Sequence, residues 1–184
     1  KPLTAALKLN TGDQIRTGQN SAVDLWFEDG SILNLTEKTQ LAISQLEIST
    51  EKKSRIARFK LWWGTITAKL TKVAFTESVC EVETDTVVAG VKFSEMTVIH
   101  PQNTSQCEVI GRDGVTEIER ISDKREVKVS GLLDEQQGVE FLLPLVAGAK
   151  VSIGVYKIVG KITVESANPL RDIRMRIDSA NNLL

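Results

Sequence analysis

The sequence contains few of the residues on which catalytic and metal sites depend. It has one histidine, His100, and two cysteines, Cys80 and Cys107. Serine and cysteine nucleophiles usually need a histidine base, and a zinc site needs three or four histidine, cysteine or carboxylate ligands. His100 also precedes Pro101 in a turn-rich run, which predicts a loop residue. We therefore predict that the chain is not an enzyme and binds no metal or other cofactor.

An excess of charge of either sign is also missing. Lys and Arg number 23 against 24 Asp and Glu, which gives a net charge of -1 at pH 7. So small a net charge supplies no long-range field for gathering phosphate groups or anionic lipids. We therefore predict no nucleic-acid partner. The densest basic run, residues 52–60, alternates in its later part with apolar residues, which indicates a solvated strand face rather than an anion site.

No run of apolar residues is long enough to cross a membrane. A spanning helix needs about 20 such residues. The longest candidate, residues 139–151, is interrupted by Pro144 and Gly148. With 41% hydrophobic and 26% charged residues, the 184-residue chain has the composition of a folded protein. Because it begins at Lys1 rather than Met, we expect that an upstream segment, such as a signal peptide or an anchor, has been removed.

Aspartates occur singly beside glycine rather than in clusters. In such settings the carboxylate bonds to nearby backbone amides and stabilises a turn, whereas calcium needs several oxygen ligands at short spacing. We therefore predict structural turns rather than a calcium site. The residues predicted to form turns or to allow close backbone approach are Gly12, Asp13, Thr17, Gly18, Asp29, Gly30, Gly64 and Gly90.

The dominant positive signal is a period-two alternation in segments separated by Gly, Asp, Asn and Ser. The clearest unit is a hairpin over residues 23–35. A two-residue turn would set Leu25 opposite Asn34, whereas a three-residue loop at 28–30 sets Leu25 opposite Leu33. Only the second register buries one consistent face. It requires Gly30 to adopt a positive φ.

Further short strands are predicted along the chain. In residues 41–48 the apolar phase changes between Ile43 and Leu46, which predicts a bulge. Residues 57–63 form a strand that Gly64 ends. Residues 169–177 fit a helical or an alternating pattern, and we favour a strand because a β-rich neighbourhood supplies pairing partners.

These elements predict an all-β fold with little or no helix. We expect short antiparallel strands that pack in a sandwich-like stack. Residues 131–138 are rich in turn signals, and alternation begins afresh after them. We therefore predict a core β domain over residues 1–135 and a strand-rich C-terminal extension over residues 136–184.

The two cysteines occur in matching contexts, since Glu and Val follow both Cys80 and Cys107. If their strands are neighbours, a disulfide is geometrically allowed and favours an oxidising compartment. Two buried free thiols are the equal alternative, because free cysteine is among the most buried residue types.

Two tryptophans, Trp26 and Trp62, fall on strand faces opposite their apolar neighbours. A second sheet or the C-terminal extension is expected to cover them. Left exposed, they would form an aromatic patch suited to binding, with sugar stacking as one use.

The order of these motifs resembles the FecR domain family. The resemblance rests on Gly-Asp-Gln-Ile-Arg-Thr-Gly at residues 12–18, the hairpin with its Asp-Gly-Ser turn at 29–31, and Thr39 before the next strand. The hairpin around Gly64, the strand at 80–84 and the segment at 88–93 fill the family's later positions. Ala89 and Val91 stand where the family has Arg and Thr. The similarity covers about residues 10–118.

The resemblance implies a stacked β-solenoid outside the cytoplasmic membrane of a bacterium, in the periplasm or elsewhere in the envelope. It also implies signal sensing through a protein partner, such as an envelope or membrane receptor component. A carbohydrate- or peptidoglycan-associated binding module is the alternative, and the oligomeric state is left open.

Overall fold

The computed structural model describes residues 7–49, 51–71, 77–122, 124–132, 138–143, 148, 150–155, 161–165 and 175–178. These residues contain strands and no helix, which confirms the all-β prediction. The strands are β1 Gln14–Arg16, β2 Val23–Trp26, β3 Ile32–Leu35, β4 Gln40–Ser49, β5 Ser54–Lys69, β6 Glu77–Glu83, β7 Val87–His100, β8 Gln106–Arg120, β9 Glu126–Leu132, β10 Gly138–Leu143, β11 Lys150–Val155, β12 Lys161–Glu165 and β13 Met175–Asp178.

The strands wind into a solenoid-like coil of about three turns. Pairing divides it into two stacks. The first stack contains β1, β4, the first half of β5, β6, the first half of β7, the second half of β8, β11 and β12. The second stack contains β2, β3, the remaining halves of β5, β7 and β8, and then β9, β10 and β13. Three strands therefore run through both stacks.

Two features differ from the prediction of short antiparallel strands. The strands β5, β7 and β8 contain 16, 14 and 15 residues. The pairs β5–β6 and β8–β9 are parallel, whereas the other pairs are antiparallel. A parallel neighbour follows whenever the chain completes a turn of the coil and returns to the same stack in the same direction.

The predicted hairpin is confirmed in its register. Val23 pairs with Leu35 and Leu25 with Leu33, and residues 28–30 form the loop. The Gly30 amide donates to the Phe27 carbonyl oxygen at 3.0 Å, and Gly30 has a φ of 81°. The predicted change of phase in β4 is also confirmed, because the pairing with β5 shifts register between Ile43 and Gln45.

Gly64 does not end a strand, as the alternation suggested, but lies inside β5 where this strand passes from one stack to the other. Its φ of 110° and the approach of Thr39 explain why glycine is required. A Cβ at Gly64 would overlap the Cα and Cβ of Thr39. The Thr65 amide donates to Thr39 Oγ1 at 3.0 Å, so a threonine holds the corner that the glycine permits.

The core lies between the two stacks. Buried apolar side chains from both belong to one cluster, which extends from Ile15 in β1 to Val151 in β11. The Phe27 ring, beside the second stack, lies 6.2 Å from the Phe59 ring of the first stack, centroid to centroid. Val127 and Val129 of β9 and Val151 of β11 are buried in the same cluster.

The C-terminal strand prediction is confirmed where the chain is described. Residues 175–178 form β13, which pairs antiparallel with β10. Residues 169–174 lie outside the described part of the chain.

We predict that Gly64→Ala lowers the free energy of unfolding by about 2 kcal/mol or more, because the new Cβ meets the Thr39 backbone at a left-handed φ. Gly90→Ala is the matched control. Gly90 lies within β7, and a Cβ there would lie 3.5 Å from Glu81 Cγ, an ordinary contact. Urea unfolding of both variants measures the difference. Equal losses of unfolding free energy in the two variants would contradict the requirement for glycine at position 64.

Candidate functional site

A groove of about 770 Å³ lies at the first-turn end of the coil, where β2 and β4 form its outer strands. We call it the end groove. Its floor and sides are lined by residues 7–11, residues 24–28, Ile43, Leu46 and Ile48. Apolar side chains therefore dominate the floor, and charged side chains stand at the rim.

Trp26 is the most exposed large apolar side chain at the end groove, with 71% of its surface accessible. It lies on β2, where Leu25 points into the core and the side chains of Asp24 and Trp26 lie on the outer face. The expectation that a second sheet or extension covers Trp26 is therefore wrong. Isolated exposed apolar side chains are common, whereas Trp26 adjoins a groove lined by further apolar side chains.

Trp62 does not join Trp26 in one patch. Ile32, the partner of Trp26, pairs with Lys69 at the far end of β5. Trp62 lies in the middle of the same strand and is half-buried. The two tryptophans are thus at different levels of the sheet, and only Trp26 lines the end groove.

The rim of the end groove is supported by a buried ion pair between Asp29 and Arg55. Both side chains are 1% exposed. Arg55 Nη1 also donates to Ser31 Oγ at 2.6 Å, and Arg55 Nη2 donates to Ser78 Oγ at 2.8 Å. The Thr71 amide donates to Ser31 Oγ at 3.1 Å. This network ties the β2–β3 loop to β5 and β6.

The ion pair was missed by the sequence analysis, which assigned the basic run to a solvated face. That prediction is wrong for Arg55, whereas Arg58 and Lys60 do lie on the outer face beside Glu81 and Glu83. A signal was present, because Arg55 shares the inward phase of the strand with Ala57, Phe59 and Leu61.

His100 is buried rather than in a loop, as the last residue of β7. Its Nε2 lies 3.1 Å from Oδ1 of Asp85, and its buried Nδ1 has no hydrogen-bond partner. Burial lowers the pKa of His100, nearby Asp85 opposes that change, and Arg125 adds to it. The imidazole is therefore neutral at pH 7 and donates its Nε2 proton to the carboxylate.

Cys80 and Cys107 are buried free thiols. Cys80 lies on β6 in the first stack, and Cys107 lies on the first half of β8 in the second stack. Their strands are not neighbours, so the condition for a disulfide is not met. Burial raises the pKa of each thiol to about 12, which keeps both protonated and unreactive.

The predicted turn residues divide into two groups. Gly12 has a φ of 93°, and the Asn10 amide donates to Asp13 Oδ2 at 2.7 Å. Thr17 Oγ1 accepts from the Thr39 amide at 2.8 Å and donates to the Thr36 carbonyl oxygen at 2.6 Å.

The second group, Gly18 and Gly90, needs no special backbone conformation. Gly18 has no positive φ, and a Cβ there would meet only Ser21 Oγ at 3.8 Å. Gly90 lies within the first half of β7 rather than in a turn. The prediction of a turn or close approach is therefore wrong for Gly90.

Within the described residues, no group of three or more His, Cys, Asp or Glu side chains is arranged to hold a metal ion. The same part of the chain contains no helix with the length and hydropathy that crossing a membrane requires.

Comparison with protein families matches the model described as FecR protein to residues 13–113. The match covers more than half of the chain, and the chain belongs to the FecR family. The Ala89 and Val91 positions, where the family motif has Arg and Thr, are buried in β7 and so suit apolar side chains.

Two solved structures are similar to the chain. Both are crystal structures of a "putative anti-sigma factor from Parabacteroides distasonis ATCC 8503", at 1.65 Å and 2.50 Å resolution. They share 12% identity with the chain at TM-scores of 0.46 and 0.47. The alignments cover 83% of this chain and 59% of theirs, so the chain spans less than two thirds of that protein. Comparison with curated proteins found no match.

We predict that Arg55→Met destabilises the fold by about 3–5 kcal/mol, because it leaves the Asp29 carboxylate buried without its cation. Arg58→Met on the same strand is the control. It loses the exposed contacts with Glu81 and Gln45 and should cost less than about 1 kcal/mol. Adding Asp29→Asn to Arg55→Met should recover part of the loss in a double-mutant cycle. No recovery would show that the pair is not the source.

We also predict that His100 makes stability depend on pH. Its folded-state pKa lies below the ordinary value of 6.5, so the unfolded chain binds the proton more readily. Stability is therefore lost as pH falls from about 7 towards about 5. In His100→Gln this contribution disappears, and thermal unfolding across that range should show a flatter profile. Parallel profiles for the two proteins would contradict the assignment.

Proposed function

We propose that the chain is a non-enzymatic, extracytoplasmic module that binds a protein partner and takes part in signal transduction at the bacterial envelope. Membership of the FecR family supports a regulatory role, because family members relay signals between envelope components. The observation that carries the proposal is the end groove, where the exposed indole of Trp26 adjoins an apolar floor and an outer strand.

The placement of the titratable groups supports binding rather than catalysis. The groups with perturbed pKa values on β6, the end of β7 and the start of β8, namely Cys80, His100 and Cys107, are buried inside the coil. A substrate in the end groove would not reach them, since none lines it. Their shifts follow from burial in the core rather than from a reacting site.

A partner protein fits the groove better than a small molecule does. The groove lies at one end of the coil, and its walls include an edge of β2, which pairs readily with polypeptide. A receptor component of the envelope is the partner that the family role favours.

A carbohydrate- or peptidoglycan-associated module is a second candidate, and one observation favours it. The exposed Trp26 ring lies on the same sheet face as Asp24 and Asn34, whose side chains are joined by a 2.7 Å hydrogen bond. An aromatic ring beside an acceptor and an amide is a suitable platform for a sugar.

Capture from envelope extracts tests both candidates. The immobilised full chain is compared with Trp26→Ala and with Ile121→Ala, a control at an exposed apolar side chain outside the groove. We expect the native chain and Ile121→Ala to recover a membrane receptor component. The amount recovered should fall by about tenfold with Trp26→Ala. Equal recovery by all three would overturn the assignment to the groove. Enrichment of glycan alone, lost with Trp26→Ala, would favour the second candidate.

A further inference from the structure

The strand β2 is paired on one side only within the described residues. It pairs with β3, and the Phe27 amide donates to the Ser31 carbonyl oxygen at 3.0 Å. In an antiparallel pair, residues whose backbone groups point to the partner alternate with residues whose groups point away. Because the backbone amides and carbonyls of Leu25 and Phe27 point towards β3, those of Asp24 and Trp26 point away from it.

Beside this open edge the end groove exposes apolar side chains that pack against the core. Leu46 and Ile48 of β4 and Phe27 beside β2 are partly buried and line the end groove. An added strand would supply both the missing hydrogen bonds and the missing apolar contacts.

The charges at the rim favour a basic occupant. Asp24 and Glu28 are exposed carboxylates two residues before and two residues after Trp26, and they outnumber Lys8, the exposed cation that also lines the groove. A cation above the indole would be attracted by the ring face as well as by both carboxylates. The neighbouring Asp29 does not contribute, since Arg55 neutralises it inside the protein.

We propose that the end groove binds an extended segment of a partner protein, which adds as a strand to the open edge of β2. Alternate apolar side chains of this segment enter the groove, and a Lys or Arg between them lies over Trp26, between Asp24 and Glu28. The origin of the segment in an envelope partner rests on the proposed function, whereas its chemistry rests on the groove alone.

A second copy of the chain fits this edge poorly. Pairing of two β2 strands would gather Asp24 and Glu28 of each copy on one short ribbon. Like charges close together across a strand pair are destabilising. A basic segment from another protein removes that repulsion.

The test uses three fluorescent, end-blocked peptide probes. The first is Thr-Val-Lys-Val-Lys-Val-Thr, the second has Glu in place of both Lys, and the third repeats the first with alternate backbone amides N-methylated. We expect saturable binding of the first to the full chain and binding weaker by about tenfold or more for the others. Equal affinity for the three probes would overturn the proposal, as would self-association that the first probe does not disrupt.

Substitutions at one position separate backbone pairing from charge. Asp24→Pro removes the outward amide without touching the ladder to β3, and we expect it to abolish binding of the first probe. Asp24→Asn keeps the amide and should weaken binding by only about threefold. Ile121→Ala should bind as the native chain does. Unchanged binding by Asp24→Pro would exclude strand addition.

Amide hydrogen exchange on the native chain gives a second measurement that does not depend on folding of the proline variant. Adding the first probe should slow exchange at the Asp24 and Trp26 amides and leave the Leu25 amide unchanged. Protection elsewhere would overturn the proposal. If capture from envelope extracts fails while the first probe binds as described, the proposed function is wrong and the proposed chemistry of the groove is supported. If capture succeeds and the probe does not bind, only the proposal of strand addition is wrong.

Discussion

The ion pair between Asp29 and Arg55 holds together three segments that are distant in sequence. A charge enclosed in an apolar interior is stable only when its partner and its hydrogen bonds are in place. Here the guanidinium reaches the β2–β3 loop through Asp29 and Ser31, and β6 through Ser78. The rim of the end groove, and the placement of β2 itself, depend on this enclosed pair.

Much of the fold can be predicted from alternation, because apolar and polar residues alternate along a strand that is buried on one face only. The register of residues 23–35 and the bulge in β4 could be derived in this way, since each alternative would expose apolar side chains. The lengths of the strands could not be derived from alternation. Gly64 looks like a terminator in sequence, and only the approach of Thr39 shows that it is a bend within one strand.

The site was less accessible to sequence reasoning. Trp26 was recognised as facing away from the core, but whether another element covers it depends on which strands end the stack. Arg55 and His100 were read by chemical type, as surface and loop residues. Both keep the inward phase of their strands, Arg55 with Ala57 and His100 with Val98. The phase of the alternation decided their burial, and the partner carboxylates, Asp29 and Asp85, lie in loops outside these two strands.

The passage of β5, β7 and β8 through both stacks has a mechanical consequence. A load applied to β2 passes through β3 into the second half of β5, and the first half of that strand lies in the other stack. The turns therefore cannot peel away one at a time, because each crossing strand must shear against neighbours on two faces together. We therefore expect the coil to resist tension as one unit rather than to extend like a chain of separate repeats.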